Sequence, residues 1–267
     1  MPVELTRITF PPLVVGNLQL NSRLILGTGK YASLPLMQQA HEAAGTELVT
    51  VALRRVPLNV SDVPSILDYI DTSKIKILPN TAGAETAEEV VRMAAFAVEL
   101  GYPQIKVEVL GDTKTLLPNP IETLRATELL RKKYQDTVTI MTYTNDDPIL
   151  AYQLYEAGAD AVMPAGSPIG SGRGISNPYN MQIILENLKG KVPVILDAGV
   201  GSPADATFAM ELGFDAILLN SAIALSQNPV LMAQAFQFAT HAGFMAYEAG
   251  RIPKKLYASA SSPLKDF

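Results

Sequence analysis

The chain has 267 residues, enough for one large α/β barrel, a fold that typically takes about 250 residues. It contains no cysteine and two histidines, which excludes disulfides and thiolate zinc sites and disfavours a histidine-rich metal site. The net charge of -5 at pH 7 disfavours binding to nucleic acid, and no apolar stretch approaches the roughly 20 residues that cross a bilayer. Since the amino terminus lacks the pattern of a secretory signal, we expect a cytoplasmic protein. We also expect no bound metal and no cofactor.

The first predicted elements are a hairpin and a series of eight strands. Residues 13–20 place Gly16-Asn17 between apolar pairs, which indicates a tight turn and a hairpin that could cover the bottom of a barrel. Short apolar runs then predict eight strands, each followed by a helical segment, at residues 23–27, 47–52, 75–79, 105–109, 137–142, 160–164, 193–197 and 215–219. Because these runs are continuously apolar rather than alternating, both faces of each strand should be buried, as in a parallel sheet covered by helices.

Helix boundaries recur in the same form along the chain. Four helical stretches end, just before a strand, in a glycine that can adopt the left-handed cap conformation: Gly45, Gly101, Gly158 and Gly213. Five capping residues stand directly before a proline and predict helix starts: Asn119, Asp147, Asn177, Ser202 and Asn228. Eight βα units favour a (β/α)8 TIM barrel with a short N-terminal hairpin, as one domain over residues 1–267 with a flexible tail at 258–267. A doubly wound open sheet is the alternative fold.

The fourth predicted strand carries two charged side chains, which is unusual in a parallel sheet. Side chains alternate along a strand, so Lys106 and Glu108 lie on the same face. If that face is the barrel interior, desolvation would lower the pKa of Lys106 and make its amine nucleophilic enough to form a Schiff base with a carbonyl substrate. Glu108 would instead hold the lysine charged, and an internal ion pair is the structural alternative. The sequence leaves this balance open.

Asp197 ends the seventh predicted strand, and a Gly-rich turn follows it. Catalytic groups of such barrels lie at the carboxyl ends of strands, so Asp197 is a candidate for acid-base chemistry, with a turn or helix-cap aspartate as the alternative. Gly199 and Gly201 should leave backbone N–H groups exposed beside a helix start, as in phosphate sites. Asn220 and Ser221 follow the eighth strand, and because the loops after strands 7 and 8 frequently share one phosphate site, they should bind the same group as Gly199.

The loop after the sixth predicted strand, residues 164–174, is rich in glycine. It could be a lid or a further anion contact with Arg173 as the donor, and a solvent loop without a ligand is the alternative. His41 and His241 lie in helical stretches, and we interpret both as ordinary surface or packing residues.

Several sequence motifs carry a resemblance to a known family. They are KVEVLGDTKTLLPNPIET from residue 106, MPAGSPIGSG from residue 163, DAGVG from residue 197 and NSAI from residue 220. Together with LGTGKY from residue 26 and GRIPKK from residue 250, they cover nearly the whole chain. In these motifs the chain resembles the thiazole synthases of bacterial thiamine biosynthesis.

The resemblance implies a set of substrates and a role for each site residue. Members of the family condense 1-deoxy-D-xylulose 5-phosphate, dehydroglycine and sulfur from the C-terminal thiocarboxylate of a small ubiquitin-like carrier protein into a thiazole phosphate. By this resemblance Lys106 forms an imine with the sugar ketone, and Glu108 and Asp197 act as acid and base. The residues that would hold the sugar phosphate are Gly170, Ala198, Gly199, Asn220 and Ser221. The resemblance also implies a homotetramer and an interaction with the enzyme that forms dehydroglycine.

The absence of cysteine fits this chemistry, because a chain without thiols cannot carry the sulfur itself and needs a partner to deliver it. Two other classes stay open at this point. One is a Schiff-base enzyme of the class I aldolase type that cleaves a sugar phosphate. The other is a non-catalytic barrel that binds the carrier protein, in which Lys106 has a structural role.

Overall fold

The computed structural model describes residues 10–53 and 65–260. The strands assigned within these two segments are β1 Leu13–Val15, β2 Leu18–Leu20, β3 Leu24–Gly27, β4 Leu48–Ala52, β5 Lys76–Asn80, β6 Gln104–Val107, β7 Thr139–Thr144, β8 Ala161–Pro164, β9 Ile195–Asp197 and β10 Ala216–Leu219. The α-helices assigned there are α1 Leu34–Ala44, α2 Ala87–Glu99, α3 Pro120–Tyr134, α4 Pro148–Glu156, α5 Pro178–Leu188, α6 Pro203–Leu212, α7 Ser221–Ala224 and α8 Pro229–Ala249. In the described part of the chain, no helix is long and apolar enough to cross a membrane.

Strands β3 to β10 form one parallel barrel. Hydrogen-bonded neighbours follow the order β8-β7-β6-β5-β4-β3-β10-β9. Between β8 and β9 the ring closes where the Val162 N–H donates to the Pro193 carbonyl at 3.1 Å and the Gly166 N–H donates to the Asp197 carbonyl at 3.2 Å. The predicted TIM barrel is therefore confirmed, and the open-sheet alternative is wrong because the two edge strands pair with each other.

The predicted hairpin is also confirmed, and it covers the bottom of the barrel. Strand β1 pairs antiparallel with β2. The Asn17 N–H donates to the Thr139 hydroxyl at 3.1 Å, which places the turn beside the amino end of β7. Side chains of the hairpin that are buried against the barrel interior are Leu13, Val15, Leu18 and Leu20. The lower half of the barrel is consequently a packed apolar core, and the open space lies at the other end.

Helix starts lie where the capping residues predict them. Each of the five predicted N-caps accepts a hydrogen bond from a backbone N–H of the first turn, namely Asn119, Asp147, Asn177, Ser202 and Asn228. At the start of α6, the Asp205 carboxylate also accepts from the Ser202 N–H at 2.9 Å and completes a capping box. These caps fix the loops that follow the carboxyl ends of the strands, and those loops carry the candidate site.

Several details depart from the sequence prediction, among them β7, which spans Thr139–Thr144 rather than residues 137–142. Strand β6 ends at Val107, so Glu108 follows the strand rather than lying within it, and β9 begins at Ile195 rather than at residue 193. Between β4 and β5 the structure describes a 3-10 turn at Ile66–Tyr69, while residues 54–64 lie outside the described part. Of the predicted tail, residues 258–260 are exposed and irregular, and residues 261–267 lie outside the described residues.

Candidate active site

A cluster of three charges, of which Lys106 and Asp197 are buried and Glu108 is partly buried, lies at the carboxyl end of the barrel strands. The side chain of Lys106 in β6 places Nζ 2.9 Å from Oε1 of Glu108 and 2.5 Å from Oδ2 of Asp197 at the end of β9. Lys106 and Asp197 are only 4% and 3% exposed as residues, so water scarcely screens these contacts. Lys106 and Glu108 share the inward face as the alternation of side chains predicts, and the barrel brings Asp197 to them from another strand.

Thr81, in the loop after β5, holds the backbone of Glu108 in place. The Thr81 hydroxyl accepts a hydrogen bond from the Glu108 N–H at 2.9 Å and donates to the Glu108 carbonyl at 2.8 Å. This pair of bonds continues the inter-strand pattern beyond the last residue of β6. The carboxylate therefore still points inward although Glu108 is not part of the strand.

The charges in this cluster determine the protonation of Lys106. Burial by itself would lower the pKa of Lys106, but the charges of Asp197 and Glu108 outweigh burial and hold that pKa above the ordinary lysine value. Burial raises the pKa of Asp197 to about 6, with Lys106 opposing the increase and Glu108 adding to it. The resting lysine is therefore an ammonium ion, and the balance that the sequence leaves open is resolved in favour of the charged form.

A pocket of about 760 Å³ opens above the cluster at the carboxyl ends of the strands. All eight candidate residues line it: Lys106, Glu108, Gly170, Asp197, Ala198, Gly199, Asn220 and Ser221. Its volume is in the range of pockets that hold small-molecule ligands. The structure thus brings the loops after β8, β9 and β10 together around one space, with the charged cluster at its floor.

The turn after β9 approaches the β8 loop so closely that only glycine fits at residue 199. Ala198 and Gly199 both have positive φ angles, 65° and 80°. A Cβ atom on Gly199 would lie 2.5 Å from the backbone nitrogen of Ser167, a contact that a side chain cannot make. Asn220 links the loop after β10 to the loop after β3, because its Nδ2 donates to the carbonyl of Gly29 at 2.8 Å.

Two expectations about anion contacts change. The N–H of Gly201 donates to the Asp205 carboxylate at 3.0 Å, so the prediction that it is exposed for a phosphate is wrong; the same carboxylate also completes the capping box of α6 with Ser202. Arg173 is exposed and is not among the residues that line the pocket, so its loop contributes Gly170 and Gly172 to the wall rather than a cation.

Two pocket residues escape the sequence analysis. Lys30, after β3, places Nζ 3.3 Å from the Ser221 hydroxyl. Tyr143 in β7 lies with its ring centroid 5.3 Å from Nζ of Lys106, and its buried hydroxyl has no hydrogen-bond partner among the described residues. Tyr143 occupies the inward parity of its strand, two residues after Met141, so strand alternation is the signal that could have found it. For Lys30 the signal is its place in a Gly-rich loop directly after a strand.

Both histidines are packing residues, as expected. His41 is buried in α1 with Nε2 3.1 Å from the Gly27 carbonyl, and burial lowers its pKa to about 4. His241 packs its ring against Phe10, with the two centroids 5.2 Å apart.

Comparison with known proteins identifies the family of the chain. The family model of the thiazole biosynthesis protein ThiG matches residues 14–263. A thiazole synthase of Geobacillus sp. (strain WCH70) is 53% identical over 254 residues, which cover 95% of this chain and 98% of the relative. A thiazole synthase of Stutzerimonas stutzeri (strain A1501) is 55% identical over 256 residues, 95% of either chain.

Solved structures share the fold. The Amycolatopsis orientalis BexX/CysO complex contains a chain that superposes with a TM-score of 0.80 at 30% identity, covering 92% of this chain and 99% of that one. A mandelate oxidase mutant superposes with a TM-score of 0.60 at 14% identity over 88% of this chain and 78% of the other, which shows a shared barrel alone. On the match to the family model and to relatives along nearly its full length, the chain belongs to the ThiG family of thiazole biosynthesis proteins.

Proposed function

We propose that the chain acts as a thiazole synthase of thiamine biosynthesis and that it does so through an imine between Lys106 and the ketone of 1-deoxy-D-xylulose 5-phosphate. The observation that carries this proposal is the buried contact of Lys106 with two carboxylates at the floor of an open pocket. A lysine between a proton acceptor and a proton donor has what imine formation requires. The family relation supplies the chemistry for which such a site would be used.

Imine formation begins with loss of a proton from the charged Lys106. Glu108, whose Oε1 lies 2.9 Å from Nζ, is placed to accept this proton. The neutral amine then attacks the ketone carbon, and a second proton moves from nitrogen to the former ketone oxygen. When Glu108 returns its proton to that oxygen, the C–O bond breaks, one water leaves and a protonated imine remains on Lys106. Atoms and charge balance over these steps without any outside reactant.

Asp197 then serves the proton transfers that follow the imine. Its raised pKa of about 6 lies closer to neutral pH than that of an ordinary aspartate, which suits a group that both accepts and donates protons. Its Oδ2 lies 2.5 Å from Nζ, and so beside the carbon atoms that an imine on Lys106 would hold. Tyr143 stays protonated, because burial and the two carboxylates raise the pKa of its phenol.

The sugar phosphate extends from this floor toward the loops. Gly170, Ala198, Gly199, Asn220 and Ser221 line the side of the pocket at which the loops after β8, β9 and β10 meet. Loops after the last two strands of such barrels frequently form a phosphate site. We therefore assign the phosphate to this side of the pocket, with the ketone over Lys106.

The reaction needs partners beyond the sugar. Dehydroglycine and a thiocarboxylated ubiquitin-like carrier protein supply the remaining atoms, and the chain has no cysteine with which to hold sulfur itself. A solved structural relative is itself a complex, BexX with CysO, which supports a macromolecular partner for this chain. A homotetramer, contact with the dehydroglycine-forming enzyme and a cytoplasmic location belong to the same proposal.

Product analysis tests the proposed function. The protein is incubated with the sugar phosphate, dehydroglycine formed in solution from glyoxylate and ammonia, and the thiocarboxylated carrier, and the products are identified by mass spectrometry. We expect a thiazole phosphate that forms only when all three are present. Cleavage of the sugar into smaller fragments would instead indicate an aldolase, and binding of the carrier without any product would indicate a non-catalytic barrel.

A further inference from the structure

The charged groups around the pocket are unevenly distributed. Among the described residues that line it, two are cations, Lys106 and Lys30. Lys106 is occupied by Glu108 and Asp197, so the floor of the pocket carries a net negative charge and repels a phosphate. Within residues 10–53 and 65–260, Lys30 forms no ion pair with an acidic side chain. Among the described residues that line the pocket, its ammonium group is therefore the cation that no carboxylate neutralises.

Lys30 lies directly against the loops that would hold the phosphate. Its Nζ donates to the Ser221 hydroxyl at 3.3 Å. A Cβ atom added to Gly170 would lie 3.5 Å from the same Nζ and 3.7 Å from the Ser221 hydroxyl oxygen. The ammonium group, the hydroxyl and the Gly170 backbone thus lie around one small space at the pocket wall.

The loop that carries Lys30 is fixed on both sides. Thr28 donates its hydroxyl hydrogen to the Thr50 carbonyl at 2.8 Å, and the Gly29 carbonyl accepts from Asn220 at 2.8 Å. Lys30 itself has a φ of 68°, in the left-handed region that residues with a Cβ seldom occupy. Such a conformation persists when the surroundings hold it, and here they direct a lysine toward Ser221.

We propose that Lys30 binds the phosphate of the sugar substrate and makes the pocket selective for the phosphorylated sugar. The proposal rests on the proposed function for the identity of that sugar. Together with the Ser221 hydroxyl and the backbone around Gly170, the ammonium group supplies the positive charge that the backbone donors lack. Lys30 is a binding residue, and it takes no part in the proton transfers at Lys106.

Calorimetry on the full-length protein tests this directly. Loss of one charge-assisted contact should weaken binding of 1-deoxy-D-xylulose 5-phosphate to Lys30→Met by about tenfold or more. Lys30→Arg keeps the charge and should bind the sugar phosphate several-fold more tightly than Lys30→Met. Lys76→Met is the matched control, because Lys76 is an exposed lysine at the amino end of β5, which is the end of the barrel opposite the pocket. The Lys76→Met variant should bind the sugar phosphate as tightly as the wild type does.

Borohydride trapping separates a binding role from a structural one. In Lys30→Met, the sugar phosphate concentration that gives half-maximal adduct should rise by the same factor as the dissociation constant, while the adduct at saturation should reach the wild-type yield. Lys30→Gly relieves the left-handed backbone, so it should keep the melting temperature of the wild type or exceed it and still lose affinity.

Unchanged affinity of Lys30→Met for the sugar phosphate would overturn the proposal. A joint fall in affinity, melting temperature and adduct yield at saturation would overturn it too, because that pattern indicates a structural lysine. The outcome for the proposed function is separate. If the wild type forms no adduct at all but Lys30→Met still loses tenfold in calorimetry, the phosphate contact stands and the imine mechanism fails.

Discussion

The ammonium group of Lys106 on β6 lies 2.5 Å from the carboxylate of Asp197 on β9, three strands away around the barrel. This contact, together with Glu108, raises the pKa of Lys106 and keeps the amine protonated in the resting protein. A charged amine cannot attack a ketone, so the site is inactive as a nucleophile until a carboxylate takes a proton. Glu108, one of the two carboxylates that hold the lysine charged, is therefore also the group that must take its proton.

Replacement of Asp197 by Asn should separate imine formation from the later steps. The variant removes the charge that most raises the pKa of Lys106 and leaves Glu108 as proton acceptor, so the sugar adduct should still form under borohydride. Thiazole formation should fall by about a hundredfold or more, as is typical when a positioned acid or base is lost. Normal turnover would reduce Asp197 to a structural residue. Loss of both adduct and turnover would place it in the activation of Lys106.

The pH profile should show the raised pKa of Asp197. In the wild type, kcat/KM for thiazole formation should decline on the acid side through about pH 6, because protonated Asp197 cannot accept a proton. The negative charge of Glu108 contributes to that raised pKa, so in Glu108→Gln the acid limb of the residual activity should move to lower pH. An acid-side decline of the wild-type kcat/KM near pH 4, or one that moves to higher pH in Glu108→Gln, would contradict the assignment to Asp197.

Removal of the lysine charge should make stability depend on pH. Lys106→Met leaves the buried carboxylate of Asp197 and the partly buried one of Glu108 without a cation, and breaking a buried ion pair costs about 3–5 kcal/mol. The pKa of Asp197 then lies still further above the ordinary value of 3.8, so the folded state of the variant binds a proton more tightly than the unfolded state. Its stability should fall as pH rises from 5 to 8. Urea unfolding at the two pH values measures this dependence, with the wild type as reference. If the variant lost the same unfolding free energy relative to the wild type at both pH values, the prediction would be refuted.

The hairpin should contribute to stability through its buried face alone. Leu20 is 1% exposed and packs on the interior of the barrel, so Leu20→Ala should lower the free energy of unfolding by about 2–5 kcal/mol. Val14 belongs to the same hairpin and is 56% exposed, so Val14→Ala should stay within about 0.5 kcal/mol of the wild type. Similar losses in both variants would mean that the hairpin does not plug the barrel.

Local rules of sequence account for most of the fold. Proline-preceding caps fix the helix starts, alternation places Lys106 and Glu108 inward, and the apolar runs identify the barrel strands. The contact of Asp197 with Lys106 needs the closed barrel, because the two residues are far apart in the sequence and meet only through the strand order.

The sequence analysis misses two features of the site, the partner of the Gly201 N–H and the place of Lys30 at the pocket. Gly201 resembles a phosphate donor, yet its N–H donates to the Asp205 carboxylate. The role of Lys30 at the pocket depends on the pairing of β3 with β10, which brings its loop to Ser221. Asp205 follows Ser202 at the spacing of a capping box, so a local pattern could have shown a carboxylate competing for the Gly201 N–H. The contact of Lys30 with Ser221 joins loops that follow separate strands, and no local pattern reports that contact.

Mass spectrometry of the borohydride-trapped adduct tests the central claim most directly. The wild-type protein is treated with 1-deoxy-D-xylulose 5-phosphate and borohydride, digested, and searched for the lysine that carries the reduced sugar. Lys106 should carry it, and Lys106→Ala should lose the adduct while retaining its fold by circular dichroism. An adduct of undiminished yield in Lys106→Ala, or one that maps to another lysine of the wild type, would contradict the account.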